Sequence, residues 1–580
     1  MYLFNREERN LSMRGALNLI RARQIVIFGS AAIPLAVSPW LNFDSTNLPK
    51  VLVLTGLAFA IVALYLSSPG KPLWSVDKPL LLTSALFLVF LTLPLFFTSA
   101  PLNQQFWGMF GRSNGWLSYF SCLVFFLVAS LMKEKKDFEK LLRVFIGTAA
   151  ILTIYALVQY TGNDPIPWSQ KMVIATLGNI NFLSAFFGLT SLAALSIGIS
   201  KKVSGSTRIF LFTLIIVDLF LVFTTKSIQG IMLFLAGLVI LIYLRLREYK
   251  AFYSYRYIYL ASIFSLFCAT VLGLLNRGPL AQFVFAPSVV FRADYWHAGF
   301  KITINNPIFG IGLDSYGDYY RQYRGLLSTV RTIPERTANT AHNIFLDLSS
   351  GGGVFLLSSY LALLFISFKA CLKIFRRLKT YDSSFAAIFS VLVGYQIQAF
   401  ISIAQIGVSI WGWVFMGAAI GYERFTRGRD VNEDLKPGAK TQHGNKKDFK
   451  KSSSALLTPG AALASFAGLL LGVLISLPPV LTDAAFRSAY QNGDLAKMSE
   501  AVQQIGSSAY LVGLVLENAA QNGNQVIGDP LNQVLTKNYP RDMYGWRVKY
   551  AKPWSTPQER DEAVLKMREL DPFNPEIPKS

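Results

Sequence analysis

Apolar residues in this chain arrive in blocks of the length that crosses a bilayer, and no other feature constrains its fold as strongly. Runs of about 17 to 21 predominantly apolar residues fall near 25–41, 50–66, 79–97, 116–132, 142–160, 182–199, 209–225, 228–244, 257–275, 353–369, 385–405, 407–421 and 460–480. The hydrocarbon core offers no water to unpaired peptide groups, so each run must satisfy its hydrogen bonds internally, as a helix. The expected fold is all-α: a polytopic membrane protein of about 12–13 transmembrane helices. Composition agrees, since 52% of the 580 residues are hydrophobic and only 15% are charged, which excludes a disordered chain and argues against an ordinary soluble enzyme.

A net charge of +22 would suggest a nucleic-acid partner in a soluble chain, but its distribution gives a simpler cause. With the N-terminus placed in the cytoplasm, 33 of the 55 Lys and Arg fall in the segments on that side, 11 in the loops on the other side and 11 in the tail after residue 480. Every alternate connection then obeys the positive-inside rule, and an odd number of spans leaves the C-terminus extracytoplasmic. The charge therefore reports topology, and no nucleic-acid partner is expected. The basic opening segment and the absence of a small-residue cleavage site argue against a removable signal peptide. Cys122, Cys268 and Cys371 lie within or beside apolar runs without CxxC spacing, so they read as small buried hydrophobes.

These patterns divide the chain into a cytoplasmic N-terminal segment (1–24), a transmembrane domain (25–421) with one long outside loop at about 276–350, a flexible basic linker (422–459) that contains His443, a last transmembrane helix (460–480) and an extracytoplasmic tail (481–580). The tail has helical spacing, and its stretch ERDEAVLKMRELDPFNP resembles the second helix of a tetratricopeptide repeat with its Asp-Pro turn. No clean repeat period follows, so the expectation is a small helical domain.

Ionisable residues are nearly absent from the spans, Asp218 being the main exception, which weighs against a pump or ion channel. Chemistry gathers on the outside face instead. Phe291, Tyr295, Trp296, Ala298, Phe300 and Ile302 form the apolar face of an amphipathic helix suited to the membrane surface. Gly310 and Gly312 permit a close backbone turn, and Tyr316, Tyr319, Tyr320 and Tyr323 offer hydrogen-bonding aromatic surface of the kind that holds sugars. His342, just before the chain re-enters the bilayer, is placed to take a proton from an attacking hydroxyl if it titrates near neutrality. The alternative is a histidine that only marks the membrane interface. His297 suits an interfacial aromatic better. Arg292, Arg336, Arg112 and Lys226 are outside cations able to clamp a diphosphate. Asp314 and Asp318 make only a weak pair, so no metal site is expected, and no phosphate-cradling GxxxxGK[ST] motif occurs.

In order along the chain, GRSNGWLSY (111–119), LGNINFLSAF (177–186), TTKSIQG (224–230), RADYWHAG (292–299), NPIFGIGLDSY (306–316) and AHNIFLDL (341–348) together resemble the O-antigen ligase and O-antigen polymerase superfamily. The resemblance covers roughly residues 20 to 425. It implies a GT-C-like membrane glycosyltransferase in the bacterial cytoplasmic (inner) membrane. Such an enzyme takes a glycan from undecaprenyl pyrophosphate on the outer face, passes it to a lipid, polysaccharide or protein acceptor, and needs no cofactor. It further implies His342 as base, Arg292 on the donor diphosphate and Asn343 positioning one of them, with Asn181, Tyr316, Arg112, Arg336 and Lys226 as substrate-binding residues. The family often carries a Ser-Arg pair where this chain reads Lys226-Ser227, so the forked arginine contact is missing there. A ligase, a polysaccharide polymerase and a protein O-oligosaccharyltransferase remain open within the superfamily. Outside it, a lipid-linked glycan transporter is the competing class; it predicts a charged central path and inverted repeats, neither of which the sequence displays.

Overall fold

Each of the thirteen apolar runs folds as a helix. The computed structural model describes residues 2–68, 76–168, 172–331, 337–427 and 459–578. Eleven of its helices are long and apolar enough to cross a membrane, and no strand occurs among the described residues. The chain is an all-α, polytopic integral membrane protein. Most of the expected linker, His443 included, and Arg336 lie outside the described residues.

The other two runs form the helices Trp116–Ser130 and Ile406–Arg427, which are enclosed by their neighbours. Trp411, Trp413, Phe415 and Tyr422 are each at most 3% exposed. A helix sheathed in protein can carry polar groups where they find partners, and Glu423 meets Arg377 at 3.0 Å and Arg427 at 2.6 Å. At the opposite extreme, Lys250–Leu274 leaves nearly all of its side chains exposed, with Tyr253, Tyr255 and Tyr257 crowded towards one end. That is the placement expected of a lipid-facing helix with an interfacial aromatic belt. Asp218 is fully buried and accepts a hydrogen bond from Thr153 Oγ1 at 2.5 Å, joining two neighbouring helices.

Helix boundaries depart from the apolar runs where polar residues find partners. The first helix, Tyr2–Leu35, runs through the basic opening segment. Arg23, one of those basic residues, is buried against Asp137 at 2.8 Å. The tenth run becomes Ile344–Arg377, starting nine residues before the apolar stretch and breaking at Gly353 (φ 78°, ψ 178°). The last, Pro459–Gln491, packs along Asn47–Leu66 and continues past residue 480 through Pro478 and Pro479. A membrane helix therefore enters the C-terminal domain with no intervening linker.

Beyond it, Leu495–Ala501, Ala509–Gln521, Gln525–Asn538 and Met543–Ala551 pack consecutively around Leu511, Leu516, Leu531 and Leu535, and Pro557–Leu570 packs on Met543–Ala551 in a second cluster with Met543, Trp546, Val564 and Met567. This domain seats on the face of the bundle that carries the long loop. Arg324 of the loop meets Asp571 at 2.6 Å with both side chains fully buried, and Arg321 approaches the same carboxylate at 3.4 Å. The Arg541 guanidinium lies 3.6 Å from the Tyr319 ring centre. Trp107 Nε1 donates to Ile475 O at 2.9 Å, and Asn103 Nδ2 to Ser507 O at 2.9 Å.

Removing a buried carboxylate leaves its guanidinium charge in a low-dielectric site at a cost of about 3–5 kcal/mol. Asp571→Ala should therefore release the C-terminal domain from the loop. Hydrogen exchange on the intact chain should report it as faster exchange across 316–331 and 557–570, with the transmembrane helices unchanged.

Candidate active site at the loop face

The site is built around the start and the break of Ile344–Arg377. Asn343 adopts an extended conformation and its Oδ1 accepts the N–H groups of Phe345 and Leu346 at 3.0 and 3.2 Å, capping the helix. Asp347, in the first turn, reaches back to accept the Ala341 N–H at 2.8 Å. The turn 340–343 is thus tied to the helix from both sides, which holds His342 at φ 52°. Non-glycine residues at positive φ persist where the surroundings over-determine them, and they concentrate at functional sites. Ser113, Lys226 and Asp314 share this conformation, and all of them lie on the loop face.

One turn further down, the motif NPIFGIGLDSY inserts into the helix break. The N–H of Val354 donates to Pro307 O at 2.8 Å, that of Ile311 to Ser350 O at 2.9 Å and that of Gly312 to Gly351 O at 3.0 Å. A Cβ at Gly353 would lie 2.2 Å from Ile308 O, and one at Gly310 would lie 2.4 Å from Gly351 C, so both positions require glycine. The amphipathic helix, Pro287–Asn305, buries Ala298, Gly299 and Ile302 against this assembly. Phe300 and Ile304 remain exposed.

His342 stacks on Tyr295, with ring centres 5.3 Å apart and planes at 25°. Tyr295 is itself fixed by Tyr316, whose hydroxyl donates to Tyr295 O at 2.7 Å, and by the edge of Tyr320. The tyrosines expected to offer a sugar-binding surface are therefore largely spent on packing. Tyr316 and Tyr320 are each 3% exposed, and Tyr319 lies under Arg541. His297, in contrast, is exposed. Burial, followed by the charges of Arg292 and Arg112, pushes the His342 imidazole down to about 4, well below the near-neutral value expected from sequence. The ring is neutral at physiological pH.

The elements that carry those two arginines are both tied to the end of Ser383–Ile401 and the residues after it, which the apolar pattern reads as one continuous run, 385–405. Residues 402–405 separate Ser383–Ile401 from Ile406–Arg427, and two backbone carbonyls, that of Ile401 at the helix end and that of Ala404 just after it, anchor both cation-bearing elements. Arg292 Nε donates to Ile401 O at 2.9 Å, and Asn114 Nδ2, beside Arg112, donates to Ala404 O at 2.7 Å. Asp314 closes the Arg112 loop by accepting the N–H groups of Met109 at 2.7 Å and Asn114 at 3.1 Å. Burial raises its carboxyl to about 6. Arg112 Nε is buried with no hydrogen-bond partner, and the carboxyl groups of Asp314, Asp347 and Asp44 are the charged groups nearest in effect to its guanidinium.

A polar strip leads to the remaining residues of interest. Asn181 Oδ1 accepts from Ser227 Oγ at 2.8 Å, beside exposed Lys226, and Gln398 Nε2 reaches Gln229 Oε1 at 3.4 Å one turn before Ile401. His342, Arg292 and Arg112 are thus within electrostatic reach of one another, with Asn181 and Lys226 at the far end of the strip. Nothing in the sequence marked 402–405, because a backbone carbonyl carries no residue signature.

Fold and site define a helical membrane protein with a half-buried histidine and two arginines gathered at one bundle face. Residues 209–361 match the family model described as O-antigen ligase, a stretch that includes Lys226, Arg292, Tyr316, His342 and Asn343. Over that stretch, the part of the bundle that carries the long loop, the match supports the O-antigen ligase superfamily, membrane glycosyltransferases of the ligase and polymerase type. No curated protein matches the chain.

Loss of a helix cap costs about 1 kcal/mol. Asn343→Ala should therefore lower the thermal midpoint of the purified protein modestly. Because the cap fixes the turn that holds His342, the variant should reduce kcat for glycan transfer far more than it raises KM for the donor.

Proposed function

We propose that this protein transfers a glycan from undecaprenyl pyrophosphate to an acceptor hydroxyl on the outer face of the bacterial cytoplasmic membrane. The observation that carries this reading is a neutral imidazole, His342, seated within reach of two guanidiniums. A base must be unprotonated to act, and a diphosphate leaving group needs cations; this cluster supplies both. The acceptor oxygen attacks the anomeric carbon as the bond from that carbon to the diphosphate oxygen breaks. The hydroxyl proton passes to His342, and the electron pair leaves with the lipid diphosphate, whose charge Arg292 and the unpartnered Arg112 Nε stabilise. A single in-line displacement inverts the anomeric configuration.

Asn343 and Tyr316 act through others in this account, Asn343 by capping the turn and Tyr316 by fixing the ring on which His342 stacks. Lys226 and Asn181 extend the basic site toward the donor. Lys226 serves as a point charge where a forked arginine contact would otherwise stand. The concentration of Lys and Arg on the connections opposite the long loop supports a cytoplasmic N-terminus and an outward-facing site.

Transfer by the purified protein in nanodiscs, with an undecaprenyl pyrophosphate oligosaccharide as donor, tests the reading. His342→Ala should lower kcat/KM by about 10²–10⁴-fold and Arg292→Ala by about 10²–10³-fold; full transfer by both variants would overturn it. Since burial and the two cations disfavour the protonated ring, kcat/KM should hold through the neutral range and fall only as pH drops through about 4. Bound diphosphate offsets the cations, so the acid limb of kcat should lie at higher pH than that of kcat/KM. Lys226→Ala should raise donor KM, and Lys226→Arg should preserve or lower it.

A further inference from the structure

The C-terminal domain does more than sit on the loop: it encloses a cavity of about 360 Å³ between itself and the loop face, within the size range of small-ligand sites. One wall comes from the membrane domain, with Trp107 and Phe110, and the other from the C-terminal domain, with Tyr510 and Tyr544. Phe110 and Tyr510 stack across the divide at 4.8 Å and 16°. The charged residues among the described lining are all acidic: Asp318, Asp483, Glu517 and Asp542. Ser507 Oγ, also on the lining, is buried without a hydrogen-bond partner. Asn339 also lines a smaller cavity with Asp314, Thr340 and Asp347, and Thr340 and Asp347 bracket the turn that carries His342.

Flat aromatic faces suit the C–H faces of pyranose rings, and carboxylates accept hydrogen bonds from hydroxyl groups without donating any. Burial raises the carboxyls of Asp318, to about 7, and of Asp542, yet the described lining carries acidic side chains, exposed Glu517 among them, and no cation, whereas Arg112 and Arg292 act on His342. An anionic ligand would be repelled there; an uncharged polyhydroxyl ligand would not. We infer that the cleft between the C-terminal domain and the loop face binds the acceptor as a neutral oligosaccharide, with its reactive hydroxyl directed past Asn339 toward His342. This assignment rests on the transfer reading above and names the class of acceptor it takes.

Binding can be measured without turnover, on the full-length protein in nanodiscs and in the absence of donor. The probes are neutral hexose and N-acetylhexosamine oligosaccharides of two to six units and their phosphorylated counterparts, with binding read by saturation-transfer NMR. At least one neutral probe should bind and its phosphorylated counterpart should not. Glu517→Lys, on an exposed helix position, and Tyr510→Ala should each weaken binding at least tenfold, whereas His342→Ala should leave it intact. Failure of every neutral probe to bind, equal or stronger binding of the phosphorylated probes, or binding unaffected by both cleft variants would overturn the assignment. The two readings fail separately. Loss of transfer in His342→Ala with no saccharide in the cleft would sink only the acceptor site, and saccharide binding with full transfer by His342→Ala and Arg292→Ala would sink only the proposed chemistry.

Discussion

The insertion of residues 307–312 into the break of Ile344–Arg377 is the contact on which the rest of the loop face depends. Three backbone hydrogen bonds close it, and the glycines at 310 and 353 remove the Cβ atoms that would block it. From that anchor the loop helix Pro287–Asn305 is laid against the bundle, bringing Arg292 and Tyr295 to the His342 turn. The same loop carries Arg324 to Asp571 and so holds the C-terminal domain. A helix that ran unbroken through 351–353 would leave the loop without backbone partners and the site without a second wall.

Electrostatics then divides the face. Burial works against charge of either sign, lowering the imidazole of His342 and raising the carboxyl of Asp318 to about 7. Guanidiniums lie beside the histidine together with the buried carboxyls of Asp314 and Asp347, whereas the described lining beneath the C-terminal domain carries acidic side chains and no cation. Under the proposed function, a diphosphate bound at these cations would offset the charges that lower the histidine, so that donor binding would strengthen the base. The coupling requires no moving part, only the proximity of Arg112 and Arg292 to one imidazole.

Much of this was legible in the sequence, for reasons that differ from residue to residue. The spans were readable because a bilayer dictates both helix length and apolarity, and even the two enclosed helices announced themselves. His342 and Arg292 stood out through the ordered motifs around them. The tyrosines after Gly312 misled because aromatic residues with polar tips suit packing as well as sugar binding, and here packing took Tyr316 and Tyr320. The segment 402–405 was invisible because its contribution is carbonyl oxygens. The low value for His342 arises first from burial and then from charges 50 and 230 residues away in sequence, neither of which a local pattern encodes. The grip of Asp571 on the loop was equally hidden, since an Asp-Pro pair reads as a turn until its partner is seen.

The central claim is a neutral base poised by the cations that will hold the donor, and a histidine titration tests it most directly. With three histidines in the chain, the imidazole of His342 can be followed by NMR of the histidine-labelled protein in nanodiscs and assigned by His342→Gln. The account predicts a free-protein midpoint near 4 that moves upward when a polyprenyl diphosphate is added. A midpoint at the ordinary histidine value, indifferent to the diphosphate, would contradict it.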